Sequence, residues 1–158
     1  MNKVTISTAD LSDQLDDKAR IARPGFLQFG GRSQFSGVIS TVKCFEDNSL
    51  VRAALQEEAN GRILVVDGGA SMKCALVGDM LAAMAIEKGW LGMVVNGCIR
   101  DSAVIAGIDI GIRALGTHPR KSVKRGVGER DVPVRFLDIE FVPGDTIYVD
   151  EDGILVTA

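Results

Sequence analysis

The chain has 158 residues, 46% of them apolar and 25% charged, with 18 Lys and Arg against 21 Asp and Glu and a formal net charge of −3. This is the composition of one globular domain over 1–158, able to bury a core without a disulfide or metal staple. It argues against an electrostatically driven nucleic-acid binder. The longest uncharged run, the eleven residues Gly89–Ile99, falls short of the roughly 20 residues of a membrane span.

No apolar leader precedes the acidic start of the chain, so a cytoplasmic protein is expected. Residues 8–18 read as a short acidic helix capped by Ser7 or Thr8. The stretch 21–35 is rich in Gly and aromatics and reads as a loop with an edge strand. Its Phe26, Phe29 and Phe35 are a candidate interface patch. Residues 36–44 (SGVISTVKC) are β-branched and alternating, hence a strand. Residues 48–60 suit a helix with Asn48 as cap and Gly61 past its end.

A rhythm of apolar strands and helices follows. Residues 63–67 (ILVVD) form a strand, 68–71 a tight turn, and 79–88 a helix apolar nearly all round and expected to be buried on most sides. Residues 92–96 form a second strand, 102–106 a helical turn and 108–115 a third strand. Strands apolar on both faces and alternating with helices indicate a covered parallel sheet. The run 119–130 is polar and carries Arg120, Lys121, Lys124 and Arg125, as a solvated loop or a basic partner site. Residues 134–141, 146–149 and 154–156 are β-like, separated by Pro143-Gly144-Asp145 and Asp150-Glu151-Asp152-Gly153 turns.

The chemistry-bearing residues are few. Cys44, Cys74 and Cys98 form no paired motif and read as reduced, buried thiols. A single histidine, His118, excludes the familiar zinc sites, so any metal is held by oxygen, which favours Mg²⁺, Mn²⁺ or Ca²⁺. In open α/β sheets, ligands collect beyond the carboxyl ends of the strands. Two such ends stand out. One leads through Gly78-Asp79 into a helix whose first N–H groups suit a carboxylate or phosphate. The plainer reading makes Asp79 an N-cap. The other ends in Arg100-Asp101. There the guanidinium can fork onto a carboxylate or oxyanion, and the carboxylate can give one oxygen to a hard cation. Equally, Arg100 can be a surface ion-pair partner and Asp101 the cap of the next turn.

Asp79, twenty residues, then Arg100-Asp101 is the D-x20-R-D spacing that resembles the class II 4-hydroxy-4-methyl-2-oxoglutarate aldolases, which include 4-carboxy-4-hydroxy-2-oxoadipate aldolase. FGGRSQFSGVISTVKCFEDN, ILVVDGGAS, DIGIRALG and PGDTIYVDEDGILV resemble the RraA-like (regulator of ribonuclease activity A) branch, so the likeness spans nearly the whole chain. The resemblance implies an α/β fold, a ββα sandwich similar to swivelling phosphohistidine domains with a mixed sheet and a β-rich C-terminal third. It also implies a ring-shaped homotrimer. In its chemistry, N–H groups of Gly78, Asp79, Met80 and Leu81 would hold a pyruvyl carboxylate, and Asp101 would anchor Mg²⁺ or Mn²⁺. Arg100 would stand beside the developing enolate, with Asp79 orienting Arg100 or a water. The substrate would be a small 2-oxo acid, with oxaloacetate decarboxylation through the same enolate. Glu46, Asp47 and Glu129 are all available as proton carriers, and no spacing selects one. The resemblance carries a second reading, a non-catalytic regulator that binds ribonuclease E. Retention of Gly78, Asp79, Arg100 and Asp101 favours the lyase.

Overall fold

The computed structural model describes residues 6–158, in a mixed α/β fold. In chain order the elements are α1 (Thr8–Leu15), β1 (Arg20–Ile21), β2 (Leu27–Phe29), β3 (Phe35–Lys43), α2 (Ser49–Leu55), β4 (Ile63–Asp67), β5 (Ala75–Val77) and α3 (Asp79–Glu87). They continue with β6 (Gly92–Ile99), α4 (Ser102–Ile105), β7 (Gly111–Thr117), β8 (Glu129–Arg130), β9 (Val134–Phe136), β10 (Ile139–Phe141), β11 (Thr146–Asp150) and β12 (Gly153–Thr157). Ten strands make one sheet, with the path β1-β12-β11-β3-β4-β6-β7-β2 and with β5 on β6 and β8 on β3. The centre, β3-β4-β6-β7, is parallel, while both flanks are antiparallel.

The continuous apolar strands follow from having both faces covered. Along β4, Leu64 and Val66 enter a core beneath the helices, with Val51, Leu55, Leu81 and Ala85. The alternate residues Ile63 and Val65 enter a second core with Phe136 and Phe141 of the β9–β10 hairpin and Ile147 and Val149 of β11. Strand period two thus feeds two cores from one run. Phe35 lies across β6 and β7 where they carry Gly92 and Gly111, which are paired in register. A Cβ on either glycine would overlap the ring.

Several boundaries differ from the sequence expectation. The first helix ends at Leu15, where Asp16 turns to positive φ before a short 3-10 turn. The predicted 48–60 helix stops at Leu55, because the Ala59 N–H bonds the Lys88 carbonyl instead of the preceding turn. Asn48 takes the N-cap position as expected, but its side chain donates Nδ2 to the Leu76 carbonyl, and the Asp47 carboxylate accepts the Ser49 N–H in its place. The third helix presents Leu81, Ala82 and Ala85 to the core but leaves Met80 and Ile86 exposed, so it is not enclosed. The 134–141 stretch is two strands joined by Leu137 and Asp138, both at positive φ. This is a two-residue turn without the usual Asn-Gly signal. Residues 108–110 close the turn after α4, so the strand expected at 108 begins at Gly111.

The aromatic patch is a correction. Phe35 is buried in the second core, while the half-buried Phe26 stacks on Phe136 and the half-buried Phe29 packs on the first core, so the three do not form one patch. The three thiols are buried as expected. Burial, with Asp47 and Asp67 nearby, pushes Cys44 up to about 12, and burial also raises Cys74 and Cys98, which disfavours the thiolate at each. Among the described residues no helix is long and apolar enough to cross a membrane.

Gly111→Ala should cost about 1–3 kcal/mol by overpacking against Phe35, read from the urea unfolding midpoint. Adding Phe35→Leu should return part of that loss, whereas strictly additive effects would refute the packing assignment.

Candidate active site

The parallel strands β5 and β6 end side by side, and the chain leaves each of them into a helix. After β5 it enters α3 through Gly78, an extended N-cap with no side-chain cap. This corrects the reading of Asp79 as N-cap, since Asp79 is already the first helical residue. After β6, the Arg100 N–H bonds the Val77 carbonyl at 2.9 Å, tying the two exits together. Asp101 then takes a left-handed conformation (φ 58°, ψ 36°) and its carbonyl accepts from Ile105 N–H to start α4.

That turn brings the Asp101 carboxylate to the start of α3, where Oδ2 accepts from the Asp79 N–H at 3.1 Å. The N–H groups of Met80 and Leu81 have no partner among the described residues, as a helix start requires. Gly78 is needed for the approach. A Cβ there would stand 2.8 Å from Asp101 Oδ2 and 3.4 Å from Arg100 Nε. The Asp79 N–H lowers the Asp101 carboxyl pKa and outweighs the opposing effect of desolvation. Hydrogen bonding with the adjoining Asp79 carboxyl and the charge of Arg100 lower it further. Arg100 itself reaches only the Pro119 carbonyl, at 3.5 Å, and makes no ion pair with Asp79. The orientation of Arg100 by Asp79 is therefore absent, and Asp79 stands with Asp101 instead.

All six residues singled out from sequence line one cleft of about 220 Å³: Gly78, Asp79, Met80, Leu81, Arg100 and Asp101. The opposing lining was not foreseen. It consists of Asn48 and Arg52 from α2 and its cap, with Lys121, Ser122 and Lys124 from the basic loop. The cleft thus gathers four cations against two carboxylates in a chain that is acidic overall. The loop reaches the cleft because Asp47 holds it. Asp47 is 3% exposed and accepts from Ser49 N–H and Oγ, Arg125 N–H (2.8 Å) and Val127 N–H (3.2 Å). The Glu46 carbonyl takes the Val123 N–H, and the Asn48 N–H donates to Ser122 Oγ. Burial alone would raise the Asp47 pKa, but these donors outweigh it and hold the carboxyl at about 2.

Asp47 is thereby removed from the proton-carrier candidates, since its oxygens are committed to backbone and Ser49. Glu46 and Glu129 do not line the cleft either. His118 accepts the Arg120 N–H on Nδ1 and is not part of the lining. For a metal, the donors on offer are the adjoining Asp79 and Asp101 carboxylates. No group of three His, Cys, Asp or Glu ligands exists among the described residues. One or two carboxylates suit a hard divalent ion that keeps most of its waters, and suit zinc badly.

The RraA-like family (Aldolase/RraA) matches residues 8–156. A protein of Alkalilimnicola ehrlichii named "Putative 4-hydroxy-4-methyl-2-oxoglutarate aldolase" is 56% identical over 153 residues, 97% of this chain and 95% of that one. One of the same name from Laribacter hongkongensis is 55% identical over 95% and 94%. Among solved structures, the RNA-processing inhibitor RraA from Thermus thermophilis superposes with a TM-score of 0.94 at 45% identity, covering 98% of this chain and 93% of that one. A Geobacillus kaustophilus protein titled S-adenosylmethionine: 2-dimethylmenaquinone methyltransferase gives 0.94 at 47% identity over 96% and 94%.

Asp47→Asn should lower stability at pH 7 by on the order of 2 kcal/mol. A folded pKa depressed from 3.8 to about 2 contributes stability above pH 3.8 that is lost as pH falls through 2. The gap between wild-type and variant urea midpoints should therefore be full at neutral pH and close towards pH 2. A gap independent of pH would refute this role.

Proposed function

The chain belongs to the RraA-like aldolase family, and from that premise we propose that it cleaves 4-hydroxy-4-methyl-2-oxoglutarate to two pyruvates. The observation that carries the reading is the meeting of Gly78–Leu81 with Arg100 and Asp101 in one cation-rich cleft. The free N–H groups of Met80 and Leu81 and the positive end of α3 bind the carboxylate next to the 2-oxo group. Arg100, with no ion pair among the described residues, lies within the same lining and neutralises charge growing on the 2-oxo oxygen as the C3–C4 bond breaks. The C4 hydroxyl becomes the carbonyl of one pyruvate, its proton leaves, and C3 is protonated to give the other. Asp101, with Asp79 beside it, would hold Mg²⁺ or Mn²⁺. When bound, such an ion supplies a Lewis acid for the 2-oxo group. Loss of CO₂ from oxaloacetate leaves the same enolate, so decarboxylation accompanies the aldolase activity.

The homotrimer and the likeness to swivelling phosphohistidine domains belong to the same reading. Phosphoryl relay does not, because the Gly68–Lys73 turn contains no histidine. S-adenosylmethionine, itself a cation at sulfur, is poorly matched to a cleft lined by four cations. The name of the Thermus relative, an RNA-processing inhibitor, supports a second reading, regulation of a ribonuclease by binding, in which the cleft chemistry is unused.

Pyruvate release from 4-hydroxy-4-methyl-2-oxoglutarate, followed by a coupled assay, should require Mg²⁺ or Mn²⁺ and stop with EDTA. Arg100→Ala should lose about 10²–10³ in kcat, with Arg100→Lys recovering part of it. Asp101→Ala should fold but lose the metal stimulation. A wild type that turns over neither this substrate nor oxaloacetate with either metal would overturn the lyase in favour of the ribonuclease regulator.

A further inference from the structure

We propose that the cavity between β7, residues 22–26 and the β11–β12 turn binds a small apolar α-amino acid as its zwitterion. The Arg113 guanidinium takes the carboxylate and Asp152 takes the ammonium. The lining of this cavity shares no residue with the cleft at the β5 and β6 ends, and the site does not depend on how that cleft is read.

Among the described residues, Arg113 is the one Lys or Arg that is buried, at 6% exposure. Cations without an ion pair elsewhere, such as Lys43, Lys73 and Lys121, are exposed and answered by water. Arg113 has no such recourse. Its Nη2 donates to the Ser33 carbonyl at 2.7 Å and to the Asp150 carbonyl at 3.1 Å. Its Nη1 is buried and has no hydrogen-bond partner among the described residues. The Phe35 ring, 5.7 Å from the guanidinium carbon, steadies the charge but supplies no acceptor oxygen. A buried guanidinium with an unanswered donor calls for an acceptor. Arg113 stands in the wall of a cavity of about 170 Å³, where a ligand can bring one.

The rest of the lining decides which charges that ligand carries. Asp150, Glu151 and Asp152 set three carboxylates against the two cations Arg23 and Arg113. Most of these are already engaged. Asp150 accepts from the Thr8 N–H and hydroxyl and from the Asp152 N–H. Glu151 takes the Gln34 amide, and Arg23 pairs with Asp138 outside the lining. The exposed Asp152 carboxylate makes no ion pair among the described residues. A plain anion would meet the guanidinium but also an excess of negative charge. A molecule with one anionic and one cationic end answers both Arg113 and Asp152. The remaining wall is apolar, with Pro24, Phe26, Leu137 and Ile154, and it favours an aliphatic side chain. The volume suits a ligand of a few carbons and is too small for a nucleotide.

The walls are held in place by the fold itself. The Ala22 N–H bonds the Ile154 carbonyl and the Arg23 N–H the Leu137 carbonyl, each at 3.0 Å, while Phe26 stacks on Phe136. A site formed in advance lowers the ordering cost of binding.

Calorimetry on the full-length protein at neutral pH compares L-valine with its single-charge analogues, 3-methylbutyrate and 2-methylpropylamine. L-Valine should bind at least about tenfold more tightly than either, a ratio within reach of one charge-assisted bond. Asp152→Asn should remove most of the preference over 3-methylbutyrate, and Arg113→Gln most of the preference over 2-methylpropylamine. Thermal unfolding checks that the Arg113 variant folds; if it does not, the exposed Asp152 variant carries the test. The wild-type unfolding midpoint should rise with L-valine concentration, and less so in Asp152→Asn. Arg100→Ala, in the other cleft, should bind L-valine as wild type does. Equal binding of L-valine and 3-methylbutyrate overturns the zwitterion site in favour of a plain anion site. No binding of any probe at millimolar concentration overturns it in favour of ordered water. L-Valine binding that is unchanged in Asp152→Asn, or lost in Arg100→Ala, places the ligand elsewhere and also overturns it.

Discussion

The Asp47 carboxylate is the constraint on which the arrangement of the cleft depends. One buried side chain caps α2 through Ser49 and fastens the basic loop through the N–H groups of Arg125 and Val127. The neighbouring residues extend the same tie. Glu46 holds Val123 through its carbonyl, and Asn48 holds Leu76 at the β5 end through its amide. Four consecutive residues, 46–49, thus join three segments that are remote in sequence. A charged acceptor satisfied by backbone donors is among the stronger contacts a protein interior offers. Using it at a loop root fixes the position of Lys121 and Lys124 without ordering their side chains.

The sheet supplies the other half. Parallel pairing places the exits of β5 and β6 next to each other, and helices begin at both. Helix starts leave N–H groups unbonded. At α3 one of these is answered by Asp101, and the next two have no partner among the described residues. The absent side chain at Gly78 lets the Arg100-Asp101 turn lie against the helix start. This wall of the cleft is therefore a product of topology and one missing Cβ.

Much of this was legible in the sequence because it is local. Residues 63–66 announce a strand covered on both faces by lacking any polar position, and the two cores bear that out. Gly78-Asp79 and Arg100-Asp101 are readable because strand ends and helix starts are marked by composition, and their spacing gave the resemblance. What was not legible is long-range. Nothing near Arg52 or Lys121 says that they share a cleft with Asp79, since that depends on hydrogen bonds across about eighty positions, as from Asp47 to Arg125 and Val127. The Phe26–Phe29–Phe35 grouping misled for the same reason. Closeness in sequence suggested one surface, while sheet geometry sent each ring to different neighbours. The Leu137-Asp138 turn was missed because tertiary packing, and not turn chemistry, holds those residues at positive φ.

The left-handed backbone at residue 101 bears on how such a protein can evolve. Few residue types accept that conformation readily, and Asp, Asn and Gly are the ones that do. An Asp-to-Asn exchange there would delete a negative charge without disturbing the bend that launches α4. If Asp101 anchors the metal as proposed, the scaffold sheds that chemistry in one conservative step and keeps its shape and its surface. On that proposal, catalyst and binding protein within a lineage built on this turn are separated by a single atom's identity.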